Sequence, residues 1–297
     1  MKLKIFLAFT AIYLIWGSTY LAAYFGLGSI PPYLMSALRF TTAGIILLGL
    51  SMFKRYPLPT RKNILVNGLG GIMMLVGGSG SVLWAQQYIP SGLAAILVSA
   101  VPIWFVILDR KQWPLYFSNR LIILGVLLGF AGIILLFGSN AINATQTKEG
   151  YMTTLGILVI IAGTIMWTIG SLYTKYNSPD QDVTVSTSIQ LLAAGIFCFC
   201  LSPFLDSLTS FSFEQISLNA WLALFYLTIF GSVIGYLSYV FLLSVRPAAQ
   251  VGTHAYINPV IAVVLGVIFI KENISLIQMI ALIVILASVV IINRKTA

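Results

Sequence analysis

Acidic residues are scarce in this chain. Seven Asp and Glu stand against sixteen Lys and Arg in 297 residues, and none of the seven falls deep inside an apolar run. A membrane-embedded enzyme acting on lipids would need paired acids, a histidine cluster or a metal site. An ion-coupled transporter of the ordinary kind would carry its proton on an intramembrane carboxylate. Neither pattern is present. Histidine occurs once, as His254, and cysteine twice, as Cys198 and Cys200. No metal-ligand spacing exists, so no metal, no cofactor and no catalytic residue is expected. The two cysteines lie two apart in one apolar run, where they point to different sides of a helix and are poorly placed to pair.

Charge of either sign is thin. Only 8% of residues are charged, against about 25% in soluble domains, too few to cover a soluble surface. With 59% hydrophobic residues and a mean hydropathy of +1.00, only a bilayer can solvate the chain. Apolar runs long enough to cross about 30 Å of hydrocarbon recur near 5–23, 33–53, 64–84, 92–108, 121–138, 153–173, 184–203, 219–241, 248–270 and 274–292. Ten spans leave only short loops and no room for an appended soluble domain. The first run follows Lys2 and Lys4 but lacks a small-residue cleavage site before a polar mature chain, so it reads as a membrane helix.

The net charge of +9 reports topology. With the N-terminus inside, thirteen Lys and Arg fall on the cytoplasmic side, only Lys148 and Lys271 outside, and Arg39 within a span. That bias predicts an inner-membrane protein with both termini cytoplasmic. It points to a lipid bilayer and a small-molecule substrate as partners, not to nucleic acid.

Self-alignment reveals a repeat. At an offset of 157, Gly78, Ser81, Pro90, Pro102 and Ser118 match Gly235, Ser238, Pro247, Pro259 and Ser275. At an offset of 151, Trp16, Ala43 and Gly44 match Trp167, Ala194 and Gly195. The repeat holds five helices, an odd number, so the second copy must enter the membrane upside down. The expected fold is all-α and integral to the membrane: ten transmembrane helices as two inverted five-helix repeats, residues 1–145 and 146–297. Two near-equivalent halves have two near-equivalent ways to pack, which is what a secondary transporter needs.

Several segments resemble the EamA family of the drug/metabolite transporter superfamily. "IWGSTY" (15–20) is similar to its first-helix signature, and "LRFTTAGIILL" (38–48), with Arg39, to its second. Pro102 and Pro259 fall in the fourth and ninth helices, as the family's prolines do. "NPVIAVVLGVIFIKE" (258–272) resembles its ninth helix ending in Glu272. The first half departs from this pattern, with Leu115 where the matching acid would stand and Asp109-Arg110-Lys111 six residues earlier. The resemblance implies ten helices, an inverted repeat and efflux of small metabolites, amino acids or amphipathic compounds.

Candidate site residues follow from depth and chemistry. Pro102 and Pro259 each lie about 15 Å into their spans by helical rise. Each removes a backbone donor and frees the carbonyl four residues earlier. Paired broken helices at midplane depth point to a central site, and beside them stand Ser99, His254, Tyr256 and Asn258. Arg39 is the one cation inside a span, readable as an anchor for packing or for an anionic group, or as a side chain snorkelling to the outer headgroups. Its repeat mate is the neutral Gln190. His254 is the only ordinary proton carrier if transport is proton-coupled; otherwise it is a neutral hydrogen-bonded group and diffusion is facilitated. Trp16, Thr19 and Trp167 complete the expected substrate-binding set. The reading that results is an exporter of small amphipathic or amino-acid-like metabolites working by alternating access. The rivals are a nucleotide-sugar or sugar-phosphate antiporter and a membrane subunit without flux.

Overall fold

The computed structural model describes the chain except residues 90, 146–149, 179, 209–210, 266–267, 269–274 and 295–297. Of residues 20, 91–92, 138–145 and 150 it describes the backbone only. Pro90, Lys148, Lys271, Glu272 and Lys295 therefore lie outside the described residues.

Among the described residues the chain is helical throughout, and nine helices are long and apolar enough to cross a membrane. They are α1 (Lys2–Leu27), α2 (Pro32–Phe53), α3 (Arg61–Ala85), α5 (Arg120–Thr145), α6 (Gly150–Asn177), α7 (Val183–Leu205), α8 (Leu218–Val245), α9 (Ala248–Leu265) and α10 (Leu276–Asn293). The tenth, α4 (Leu93–Leu108), qualifies together with the bent segment Arg110–Ser118 that comes after it. Outward faces carry Ile45, Ile46, Leu50 and Phe53 on α2, and Ile283, Leu286 and Val290 on α10. Such apolar surface is stable only against lipid.

Helix starts follow local chemistry. Thr60, Asp182, Ser217 and Ser275 cap α3, α7, α8 and α10 by accepting backbone N–H bonds. Helix α2 begins at Pro31-Pro32 and borrows its cap from another helix. The Asp206 carboxylate, at the end of α7, accepts from Tyr33 N at 3.1 Å and Leu34 N at 2.8 Å. Its charge also sits where the helix dipole favours an anion.

By contact the chain forms two compact units, each drawing on both sequence halves. Unit 1 comprises Met1–Gly77 and Ile169–Val245; unit 2 comprises Gly78–Thr168 and Arg246–Ala297. Within unit 1, α2 lies along α7 through glycine. A Cβ at Gly44 would come 2.7 Å from Leu192 Cγ, and one at Gly195 would come 2.6 Å from Thr41 N. Gly44 and Gly195 are repeat mates at the 151 offset, and so are Thr41 and Leu192. One contact is thus the image of the other. Because 41 faces 195 while 44 faces 192, the mate helices run antiparallel, as an inverted repeat requires. In unit 2, Gly125, Gly129 and Gly132 of α5 face Ile292, Ser288 and Ile285 of α10 in descending order. That mate pair is antiparallel too.

A second matched contact joins different helices. In unit 1, Gly235 of α8 seats the Trp16 indole, where a Cβ would come 2.6 Å from Nε1. In unit 2, Gly78 of α3 seats Trp167, where a Cβ would come 2.8 Å from Cε3. Tryptophans and glycines are both repeat mates, so each unit builds a corresponding indole-on-glycine seat from one residue of either sequence half, though through different edges of the indole.

Helices α3 and α8 share a feature that periodicity could not reveal. Residues Ile72–Gly80 and Leu227–Tyr236 wind as π-helix, at positions that largely overlap under the 157 offset. Such segments are rare beyond a single turn and concentrate at functional sites. The two proline helices, by contrast, are not broken alike. In α4 the interruption falls at Ser99–Ala100, just before Pro102. In α9 it falls at Thr253, and Pro259 sits inside the helix His254–Leu265. The Thr253 hydroxyl donates to Gln250 O at 2.6 Å, and the His254 ring meets Val251 O at 3.0 Å. Side chains take over the backbone carbonyls there, and the helix resumes before the proline.

The α2–α7 contact sets a stability prediction. Gly195→Leu should lower stability by about 1–3 kcal/mol through overpacking against Thr41. Gly49→Leu, with nothing within 4 Å of its Cβ direction, should cost nothing. Thermal unfolding of detergent-purified protein measures both, and equal melting temperatures would contradict the close approach.

Candidate functional site

Polar side chains gather in two clusters, one within each unit. In unit 1, Trp16, Thr19 and Arg39 come together on the π-helical stretch of α8. The Trp16 indole donates to Gly231 O at 3.0 Å, and the Thr19 hydroxyl turns back to Trp16 O at 2.6 Å. Arg39 Nε donates to Ser232 Oγ at 2.7 Å. Gly231 makes room for this arrangement, since a Cβ there would lie 3.0 Å from the Arg39 guanidinium and 3.3 Å from Thr19. The π winding places the Gly231 carbonyl and the Ser232 hydroxyl side by side for two different helices.

From this point a ladder of hydrogen bonds runs through unit 1. Trp16 packs on Tyr239 at 5.3 Å, and Tyr239 stacks on Tyr236 at 6.1 Å. The Tyr239 and Ser171 hydroxyls share a 2.7 Å bond. Tyr236 donates to Gln190 Oε1 at 2.7 Å, and Gln190 Nε2 donates to Asn67 Oδ1 at 2.8 Å. Asn67 passes on to Ser178 at 3.0 Å, Ser178 to Asn63 at 3.2 Å, and Asn63 to Gln181 at 2.9 Å. Gln190 is fully buried and Asn67 nearly so, yet each amide is used at both ends.

Unit 2 assembles the rest of the expected set around α9. Trp167 and His254 meet with ring centroids 6.3 Å apart. Gly252, at the α9 interruption, lets the helix approach Phe105 and the Pro102 backbone of α4, so the two interrupted helices pack together. Asn258 is buried on the same helix. Two of the expected contacts spend their hydroxyls on protein. Ser99 donates to Ile96 O at 2.6 Å, and Tyr256 reaches Val126 O at 2.8 Å with its ring on Gly129. Both are completely buried. Asp109, of the Asp-Arg-Lys run, is buried beneath Tyr116. It accepts that hydroxyl at 3.1 Å, and Ala249 N at the start of α9 donates to the same hydroxyl at 3.3 Å. The acid thereby supports the start of α9 through the tyrosine. Cys198 is buried, Cys200 exposed, and both are free thiols. Among the described residues no group of three His, Cys, Asp or Glu side chains could hold a metal ion.

Asn67, Ser171 and Ser232 were not among the residues that depth and composition single out. Asn67 carried the one usable signal, an amide inside an apolar run. A serine among serines carried none.

Comparison with known proteins gives one consistent answer. The profile of the EamA-like transporter family matches twice, over residues 2–138 and 154–294. The uncharacterized inner membrane transporter YedA of Escherichia coli K12 is 34% identical over 293 residues, covering 98% of this chain and 91% of its own length. The uncharacterized transporter YvbV of Bacillus subtilis is 22% identical, covering 99% of this chain and 92% of its own. A solved crystal structure shares the fold with a TM-score of 0.78 at 20% identity, over 98% of this chain and 97% of the other.

The amide ladder yields a coupling prediction. Asn67→Leu and Gln190→Leu should each cost about 1 kcal/mol, between the bilayer average of roughly 0.6 and the cost of an orphaned buried polar group. The double variant should cost clearly less than the two together. Strict additivity in thermal unfolding would show the two amides to be independent.

Proposed function

From membership of the EamA-like transporter family, to which this chain belongs, we propose that it is a secondary transporter driven without ATP and working by alternating access. The observation that carries this reading is the matched indole-on-glycine seat, Trp16 on Gly235 and Trp167 on Gly78. Corresponding contacts in two inverted copies have comparable energies. A molecule built from them has two packings of similar stability, related by a two-fold rotation about an axis in the membrane plane. Exchange between such packings is transport. A scaffold subunit or an enzyme has no use for that degeneracy.

The finer reading follows the same logic. Residues 1–145 and 146–297 act as the two exchanging halves. The membrane is an inner membrane, with both termini on the basic cytoplasmic side. The solutes are small, amphipathic or amino-acid-like, and they leave the cell. Arg39, Trp16 and Thr19 within unit 1, and Trp167, His254 and Asn258 within unit 2, are each proposed as solute contacts of their own unit, with aromatic faces for apolar parts and few charges. Ser99 and Tyr256 stand behind them as supports, because their hydroxyls are engaged. Pro102 and Thr253 mark where α4 and α9 can bend.

Reporter fusions test the topology: both termini should read cytoplasmic, and a periplasmic C-terminus would end the inverted arrangement. Access is tested with His254→Cys in a variant carrying Cys198→Ser and Cys200→Ser. Membrane-impermeant thiol reagents should label position 254 from either face of oriented vesicles. Labelling from one face only, whatever solute is added, would contradict alternation.

A further inference from the structure

Resting on the transport reading, and going one step beyond it, we propose that Arg39 is the receptor for a carboxylate group of the solute, which makes the substrate class monoanionic carboxylates. The guanidinium presents five donors in a planar fork. One, Nε, is committed to Ser232 Oγ, and that bond fixes the plane of the group. What remains is the edge formed by the two terminal nitrogens, the geometry that grips a carboxylate with two parallel bonds. Those nitrogens have no hydrogen-bond partner among the described residues. They are also not among the buried side-chain atoms that lack a partner, as Thr41 Oγ1 does.

Among the described residues no acid is paired with Arg39. Helices α1, α2 and α8 contain no Asp or Glu. The acid at the end of α7, Asp206, has both oxygens engaged by Tyr33 N, Leu34 N and the Ser202 hydroxyl. The repeat mate makes the contrast plain: Gln190 uses its amide oxygen and nitrogen fully, on Tyr236 and Asn67. The two halves meet the same requirement in different ways, one closed by protein and one left open. A charge inside the membrane whose donors are left over marks a functional partner. A single guanidinium with no lysine beside it balances one negative charge, so dianionic phosphates are poorly matched.

The test reads binding, not flux, so it stands apart from the transport assay. Purified full-length protein in non-ionic detergent is treated with phenylglyoxal, which modifies accessible arginine, and the Arg39 peptide is followed by mass spectrometry. Butyrate and hexanoate should slow modification roughly tenfold, the worth of a charge-assisted pair, while butanamide should not. Methyl phosphate should protect less than either acid. Gly231→Val, which pushes a side chain into the guanidinium, should remove the protection while leaving Ser232 in place. Equal rates with acid and amide would overturn the proposal. So would an inert Arg39 beside a reactive Arg61, or protection by phosphatidylglycerol alone, which would make Arg39 a headgroup anchor. Protection without flux would leave the subsite standing and remove the transport reading; flux without protection would do the reverse.

Discussion

A polar group inside hydrocarbon has to find its partner within the protein or in trapped water, because the lipid offers none. That constraint makes every span here a helix, since only a helix satisfies its own backbone. It also explains the side chains that interrupt those helices. At Thr253 and His254 a hydroxyl and an imidazole engage carbonyls of the preceding turn. At Ser99 a hydroxyl does the same for Ile96. The buried amides of Asn67 and Gln190 are matched end to end for the same reason. Against that background, the terminal edge of Arg39 has no hydrogen-bond partner among the described residues, and the proposed solute contact is argued from it.

Packing supplies the second half of the account. Lipid tails are as apolar as leucine, so helices associate through close fit and not through hydrophobic exclusion. The glycines at 44 and 195, and at 78 and 235, are among the points where the fit is close. A change at any of them meets an indole or a neighbouring backbone at once. Because these glycines occur as mates, each close contact between the halves has a counterpart in which the roles of the halves are exchanged. On the proposed alternating-access reading, near-equality of two packings would follow from duplication of the sequence and need no separate tuning.

Much of this was legible before any coordinates. The alternation of apolar runs marked ten spans, and identities at two offsets paired Trp16 with Trp167, Gly44 with Gly195 and Gly78 with Gly235. Those identities name mates but not partners. That tryptophan of one helix seats on glycine of another, in both units, is a tertiary fact. The π winding of Ile72–Gly80 and Leu227–Tyr236 was equally invisible, since it alters hydrogen-bond register without altering composition. Pro259 was misleading as a marker for the α9 interruption. The chain yields where Thr253 and His254 compete for carbonyls, six residues ahead of the ring that lacks its donor. Ser232 had no signal at all, because its importance comes from standing beside Arg39.

The central claim is that two equivalent packings exchange around a bound solute, and counterflow tests it most directly. Proteoliposomes containing the protein are loaded with excess unlabelled carboxylate solute and diluted into a trace of the labelled form. The account predicts a transient overshoot of labelled solute inside, faster than entry into unloaded vesicles, because the loaded carrier returns as readily as it leaves. Entry that rises linearly with concentration and ignores the internal load would contradict it.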